Sequence, residues 1–117
     1  MSTRAVYTFI DERDEFHVYK HHDGYPSGAA EFIAAAATKA WPVGRFEASD
    51  YAAAFIAANK TEGGGVYCTK HWRNHGDLEY RYEIHGADVK AFHINANDKW
   101  RQIWRGTLSN LSDLATK

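Results

Sequence analysis

Cysteine, net charge and long apolar runs are what this sequence has least of, and each shortage excludes a class of protein. Cys68 is the one cysteine, so the chain cannot form an internal disulfide, which fits a reducing compartment. The formal net charge of −1 argues against a dedicated nucleic-acid binder, because neutralising phosphates usually needs a basic excess. The longest alanine-rich run, Gly28 to Ala37, contains a glutamate and is too short to span a bilayer. Since the first residues also lack an apolar signal segment, we expect a cytoplasmic protein without membrane contacts.

The chain nevertheless has enough apolar residues for one packed domain. Hydrophobic residues make up 44% of its 117 residues, and a chain of this length fits a single domain spanning residues 1–117. Aromatic residues reach 15%. Part of this aromatic set exceeds what one core needs, so an aromatic surface patch is expected.

The spacing of the apolar residues predicts an α+β domain. Alternation predicts strands at residues 4–10, 16–21, 66–70, 78–84, 89–95 and 99–107. Helical spacing predicts two helices, Ser27 to Trp41 and Ser49 to Lys60, and a helical turn in the tail after Ser109. The order is therefore β-β-α-α-β-β-β-β, which predicts a two-layer sandwich of an antiparallel sheet with two helices on one face. Leu78, Tyr80, Tyr82 and Ile84 are expected on the covered face.

Two short segments resemble a known group of proteins. Residues 2–4 read Ser-Thr-Arg before the first strand, and residues 21–28 read His-His-Asp-Gly-Tyr-Pro-Ser-Gly before the first helix. This combination resembles uncharacterised short bacterial and phage proteins with an N-terminal Thr-Arg strand and an Asp-Gly-Tyr-Pro-x-Gly turn. The resemblance implies a phage or prophage accessory protein that binds host machinery, including host defence complexes in the manner of anti-CRISPR proteins. It assigns no catalytic residue.

The turn before the first helix has two interpretations. As a ligand loop it would present backbone N–H groups to an anion at a helix N-terminus. The candidate residues of this loop are His21, Asp23, Gly24 and Tyr25. As a strand-to-helix connection, Gly24 bends the chain, Pro26 opens the helix, Ser27 caps it and Tyr25 anchors the loop to the core. The structural interpretation is favoured, because turn residues have local reasons to be there.

The seven histidines raise the question of a metal site. Cys68, His71 and His75 have a zinc-like C-x2-H-x3-H spacing. A structural zinc site needs four ligands, however, and Asp77 or His21 would serve only if the fold placed one of them nearby. Strand alternation also points Cys68 and His71 in opposite directions. We therefore expect neither a stoichiometric metal nor another cofactor.

Two pairs of residues could act in catalysis, but no catalytic motif in the sequence supports either pair. Cys68 with a histidine, or His21 with Asp23, would supply a nucleophile or an acid–base pair. The sequence contains no G-x-S-x-G, P-loop or H-E-x-x-H motif. A buried position in an apolar strand is the simpler expectation for Cys68. An enzyme is the less favoured class.

Tryptophan and arginine alternate near the end of the chain. In one regular strand, one face would carry Trp100, Gln102 and Trp104, and the other would carry Arg101, Ile103 and Arg105. Together with Trp72 and Arg73, these tryptophans and arginines are the candidate partner-binding residues, because both residue types anchor interfaces. The competing interpretation buries one tryptophan face and leaves arginine solvated at a sheet edge.

The leading hypothesis is a non-enzymatic protein that binds a protein partner in the host cytoplasm. One alternative is a small enzyme or ligand-binding domain that uses the loop from His21 to Gly28. The other is a nucleic-acid binder that uses the terminal strands, since aromatic residues interleaved with arginine also stack on bases. Net charge places protein binding ahead of nucleic-acid binding.

Overall fold

The computed structural model describes residues 2–61 and 63–117, which form a six-stranded sheet and three α-helices. The strands are β1 Ala5–Ile10, β2 Glu15–Lys20, β3 Val66–Thr69, β4 Tyr80–His85, β5 Asp88–Ile94 and β6 Trp100–Thr107. The helices are α1 Pro26–Ala37, α2 Ala48–Asn59 and α3 Leu111–Leu114. The predicted α+β class and the predicted element order are confirmed, including the helical turn in the tail.

The sheet is mixed, with the strand order β3-β2-β1-β4-β5-β6. Strand β1 pairs with β4 in parallel, and every other neighbouring pair is antiparallel. The sequence predicted an antiparallel sheet, and the parallel pair is the one departure from it. The pair arises because β2 already occupies one side of β1, with β3 beyond it. β4 therefore returns to the sheet on the other side of β1.

The helices cover one face of the sheet with the main core. Tyr7 and Phe9 of β1 meet Phe55 of α2, with ring centroids 4.4 and 5.7 Å apart. The helix side of this core is largely alanine, and such small side chains let α1 and α2 pack closely on each other and on the strands. Burying each large apolar side chain stabilises the fold by roughly 1.5–3 kcal/mol. The prediction that both helices share one face is confirmed.

Helix α1 begins one residue earlier and ends four residues earlier than predicted. Pro26 occupies its first turn as expected, but the N-cap position is Tyr25, and no side chain caps the helix there. Ser27 lies inside the helix, so its predicted capping role is wrong. Beyond Ala37 the chain turns, and the Trp41 backbone N–H donates to Asp50 Oδ2 at 2.9 Å. Among the described residues, none of the helices has the length and apolar character needed to cross a bilayer.

The opposite face of the sheet carries a second, smaller core. Val6, Tyr19 and Leu78 form it, and Trp72 and Trp100 pack against it as partly buried side chains. No α-helix contributes to this cluster in the described part of the chain, and we call the side without α1, α2 and α3 the helix-free face. Leu78 was predicted to share a face with the strand tyrosines. Leu78 lies on the helix-free face because it precedes β4, so the alternation of side chains between the two faces along that strand does not include it.

Candidate functional site

A Trp–Arg patch lies on the helix-free face. We define it as Trp72, Arg73, Arg81 and Trp100. Trp72 opens a 3₁₀ turn, Trp72–Asn74, in the connection between β3 and β4, and its ring meets that of Trp100 edge-on with centroids 5.7 Å apart. The Arg73 guanidinium lies 4.7 Å from the centroid of the Trp72 ring. The sequence proposed three of these residues for one binding surface, and the structure brings those three together.

Trp104, the third of the proposed tryptophan anchors, is not part of this patch. A register shift between Ala91 and Phe92 of β5 places Ala91 opposite Trp104 but Phe92 opposite Gln102. The extra residue in β6 reverses its facing direction. Trp104 is therefore buried in the core on the helix side, where its Nε1 donates to Asp113 Oδ2 at 2.7 Å. The prediction that Trp100 and Trp104 share a face is wrong.

The same bulge separates the two proposed arginines of β6. Arg101 pairs with His93, whose ring stacks on Tyr80 on the helix side of the sheet. Arg105 pairs with Lys90, which belongs to the helix-free face. Both arginines are exposed, as expected for an edge strand, but their predicted common face is wrong.

Arg81 is the residue of the patch that the sequence did not reveal. Its side chain is only 10% exposed, and its guanidinium lies 4.1 Å from the Trp72 ring centroid and 4.8 Å from that of Trp100. A single ion-pair contact joins its Nη1 to Glu83 Oε2 at 3.5 Å, and its buried Nε has no hydrogen-bond partner within residues 2–61 and 63–117. Burial lowers the pKa of Arg81, while Glu83 opposes that shift. No sequence signal separates Arg81 from its polar neighbours in β4, because its burial depends on the distant Trp72.

A second group of polar side chains lies on the same face, and we call it the His17 cluster: Thr8, Glu15, His17 and His71. Buried His17 forms hydrogen bonds through both ring nitrogens, at 2.8 Å between Nδ1 and Thr8 Oγ1 and 3.0 Å between Nε2 and Glu15 Oε2. The His71 ring lies 4.9 Å from the His17 ring. Burial is the largest influence on the pKa of His17 and lowers it, while the Glu15 carboxylate opposes the shift. The neutral imidazole is therefore favoured.

The cysteine and histidines with zinc-like spacing are dispersed. Cys68 pairs with Val18 of the helix-side core, yet its side chain is exposed, so its predicted burial is wrong. His75 instead bonds to Thr69 Oγ1 at 2.9 Å and stacks on Tyr19. His71 joins the His17 cluster. The sequence pointed to His71 but missed Glu15 and His17, because those two become its neighbours only through folding of the β3–β4 connection.

The loop from His21 to Gly28 serves as the connection between β2 and α1. The Tyr82 hydroxyl donates to the Gly24 carbonyl at 2.6 Å, and a Cβ on Gly24 would lie 2.6 Å from that of Ala5. Asp23 has a φ of 59°, so the bend falls on this residue as well as on Gly24. Tyr25 is 41% exposed, and its predicted anchoring to the core is wrong. Tyr82 anchors the loop instead.

His21 is also committed to local contacts. Its Nδ1 lies 2.8 Å from the Tyr19 hydroxyl and accepts from Arg4 Nε at 3.3 Å. These bonds hold the end of β2 beside the chain that precedes β1. The contacts of the loop favour its structural interpretation.

An apolar groove runs between α2 and the edge strand β3. Phe16, Val18, Ile56 and Cys68 contribute to its lining, and its volume is about 450 Å³. Glu15 and Lys70 stand among its lining residues and give it one charge of each sign. The groove is open and its exposed lining is mainly apolar, but His17 of the His17 cluster is also among its lining residues.

Comparison of the chain with family models, with curated proteins and with solved structures gave no match. The resemblance in residues 2–4 and 21–28 therefore stays a prediction.

Proposed function

We propose that this protein is a non-enzymatic binding protein and that its Trp–Arg patch docks an acidic segment of a partner protein. The observation that carries the proposal is the edge-on contact of Trp72 and Trp100 above Arg81, a nearly buried cation. Tryptophan and arginine are the residues most enriched among interface anchors.

Contacts within the chain hold the residues of the patch in place without a partner. Trp72 and Trp100 pack against the small core of Val6, Tyr19 and Leu78, which fixes one side of each ring. The backbone N–H of Arg73 donates to His71 Nδ1 at 3.1 Å and holds the 3₁₀ turn. A surface that is ordered in advance loses less conformational entropy on binding, so more of the contact energy appears as affinity.

The charge of the patch supports an acidic partner. Arg81 has lost most of its hydration, and among the described residues its one ion pair is the 3.5 Å contact with Glu83. Arg73 lies exposed beside it. A partner carboxylate would supply the charge-assisted hydrogen bonds that a guanidinium makes best. An apolar side chain next to that carboxylate would cover the tryptophan rings. We therefore propose a partner segment that combines Asp or Glu with an apolar residue.

The partner class follows from the resemblance in the first third of the chain. It implies a phage or prophage accessory protein, and we propose a protein of the host cytoplasm, such as a component of a defence complex, as the target. Inhibition would then result from occupying a surface that the target needs, without chemistry at the patch.

The test begins with capture of partners from bacterial lysate on the immobilised protein, followed by calorimetric titration of each purified candidate. We expect Trp72→Ala and Arg73→Glu to weaken binding by at least about tenfold, in line with the loss of an interface anchor. Arg101→Glu is the matched control, because it makes the same charge change on the other side of β6 and should leave affinity unchanged.

Two outcomes would overturn the proposal. In one, the candidate binds Trp72→Ala and Arg73→Glu, both shown to be folded by circular dichroism, as tightly as it binds the unmodified protein. In the other, capture disappears after nuclease treatment and the purified protein binds single-stranded nucleic acid directly. That second result would establish the nucleic-acid alternative.

A further inference from the structure

The geometry points to a transition-metal site, of the type that binds Zn²⁺, formed by Glu15, His17 and His71. Each residue offers one ligand atom, and the three atoms all lie within 4.8 Å of one another. Two ligand atoms bound to one tetrahedral zinc ion are about 3.4 Å apart, since each lies about 2.0–2.2 Å from the metal. Glu15 Oε2 and His17 Nε2 are already 3.0 Å apart. Movements of about an ångström would complete the set.

The donor set selects the kind of metal. Two imidazoles and one carboxylate suit zinc and neighbouring transition metals, while magnesium and calcium prefer oxygen ligands only. Three protein ligands leave a fourth position for water, as in open zinc sites. This inference replaces the sequence-based expectation of no metal, which considered Cys68, His71 and His75 as the ligand set.

Thr8 can support His17 with or without a metal. When His17 Nε2 carries the proton and donates to Glu15, Nδ1 accepts from the Thr8 hydroxyl. When Nε2 binds a metal, the proton moves to Nδ1 and Thr8 Oγ1 accepts it, because a hydroxyl can play both roles. Metal-binding histidines commonly have such a partner on the second nitrogen, where it fixes the orientation of the ring.

His71 connects the metal site to the turn that carries Trp72. Its Nδ1 accepts from the backbone N–H of Arg73, so this nitrogen has the free lone pair in the neutral ring. A metal bound at Nδ1 would compete with that hydrogen bond. The Arg73 amide is therefore a reporter of metal binding at His71.

The surrounding charges make Glu15 the decisive ligand. Burial lowers the pKa of His17 most, and the charges of His71 and Arg81 add to that shift. The positive charge of Arg81, on the strand beyond β1, would also repel a metal cation. The Glu15 carboxylate offsets this repulsion. Replacing Glu15 by glutamine removes the negative charge and keeps the size of the side chain.

Calorimetric titration with Zn²⁺ alone, and optical titration with Co²⁺ alone, test the site on the full chain. We expect one ion per chain, Co²⁺ bands of a four-coordinate site, and a shift of the Arg73 amide resonance in nuclear magnetic resonance spectra. Glu15→Gln and His71→Ala should each weaken binding by about tenfold or more. His85→Ala, which removes an exposed histidine elsewhere in the sheet, should leave affinity unchanged.

Circular dichroism of each variant separates loss of binding from loss of fold, and Glu15 and His71 are both accessible enough for substitution. The inference is wrong if Zn²⁺ does not bind the folded protein at one ion per chain. It is equally wrong if the folded Glu15→Gln and His71→Ala variants bind Zn²⁺ with unchanged affinity, since the ion would then be held by other histidines.

Discussion

Tyr7 and Tyr82 stack on neighbouring parallel strands with ring centroids 5.1 Å apart, but their hydroxyls differ. The Tyr82 hydroxyl donates to the Gly24 carbonyl at 2.6 Å. The Tyr7 hydroxyl is buried and finds no hydrogen-bond partner within residues 2–61 and 63–117. Burial raises the pKa of both phenols far above the ordinary value of 10.0, so both remain protonated at neutral pH.

This difference predicts opposite effects of one chemical change. Tyr7→Phe removes an unpaired buried hydroxyl and should raise the free energy of unfolding by about 1 kcal/mol. Tyr82→Phe leaves the Gly24 carbonyl without its donor and should lower the free energy of unfolding by about 1–2 kcal/mol. Urea denaturation of the two variants provides the measurement, and each serves as the control for the other. Equal changes in both variants would contradict the assigned hydroxyl contacts.

The loop before α1 should tolerate no side chain at Gly24. An added Cβ would meet the Ala5 Cβ at 2.6 Å and the Thr3 carbonyl oxygen at 2.9 Å. We therefore expect Gly24→Ala to destabilise the fold by about 1–3 kcal/mol. Gly76→Ala is the matched control, because nothing lies within 4 Å of its added Cβ, and its effect should stay within about 0.5 kcal/mol. Thermal unfolding compares the two, and similar midpoints would disprove the close approach at Gly24.

The bulge in β6 predicts different roles for its two tryptophans. Trp104 is 7% exposed, so Trp104→Ala should cost about 3–5 kcal/mol of unfolding free energy. Trp100→Ala removes a partly buried ring from the small core and should cost less than half as much. Chemical denaturation measures both values. If Trp100→Ala proved the more damaging variant, the assignment of faces across the bulge would be wrong.

Asp11 predicts a loss of stability in acid. Its carboxylate accepts backbone N–H groups of Arg13, Asp14 and Ala48 at 2.8–2.9 Å. The bond from Ala48 contributes most to holding the pKa of Asp11 below its ordinary value of 3.8. Because the folded pKa is lower than the unfolded one, the stabilisation is complete above the unfolded pKa. It is lost as the pH falls through the folded pKa.

The corresponding measurement is the melting temperature between pH 6 and pH 2. Asp11→Asn should have a lower melting temperature than the unmodified protein at pH 6, and the two melting temperatures should become equal in acid. Asp88→Asn, at an exposed position of β5, is the control and should follow the unmodified protein throughout. A constant difference between Asp11→Asn and the unmodified protein at every pH would contradict the role of the ionised carboxylate.

The sequence predicted the elements well because their signals are local. Alternation marked β1 and β2, and Pro26 marked the start of α1. The composition of the Trp–Arg patch was only partly predictable, because one extra residue in β6 changes which side chains lie together. Regular alternation, the assumption behind grouping Trp100 with Trp104, carries no information about a bulge within β6 itself.

The His17 cluster and Arg81 were missed for a related reason. Each depends on the connection between β3 and β4, which folds back over the sheet and brings His71 to His17 and Trp72 to Arg81. From the sequence alone, polar residues in a strand are predicted to be exposed to solvent. Their burial comes from a segment far away in sequence, and pairing over such distances leaves no local pattern.

The parallel pairing of β1 with β4 also sets the order in which the sheet can be completed. Ala5 pairs with Tyr80, so the closure of this pair must bring together residues 75 positions apart. During synthesis, the hairpin of β1 and β2 and both long helices can form while the inner edge of β1 still lacks its neighbour. The long closure raises contact order and slows folding. Until the chain has been synthesised as far as His85, the edge of β1 that will pair with β4 has no neighbouring strand. A nascent chain of this protein is most exposed to aggregation at that unpaired edge.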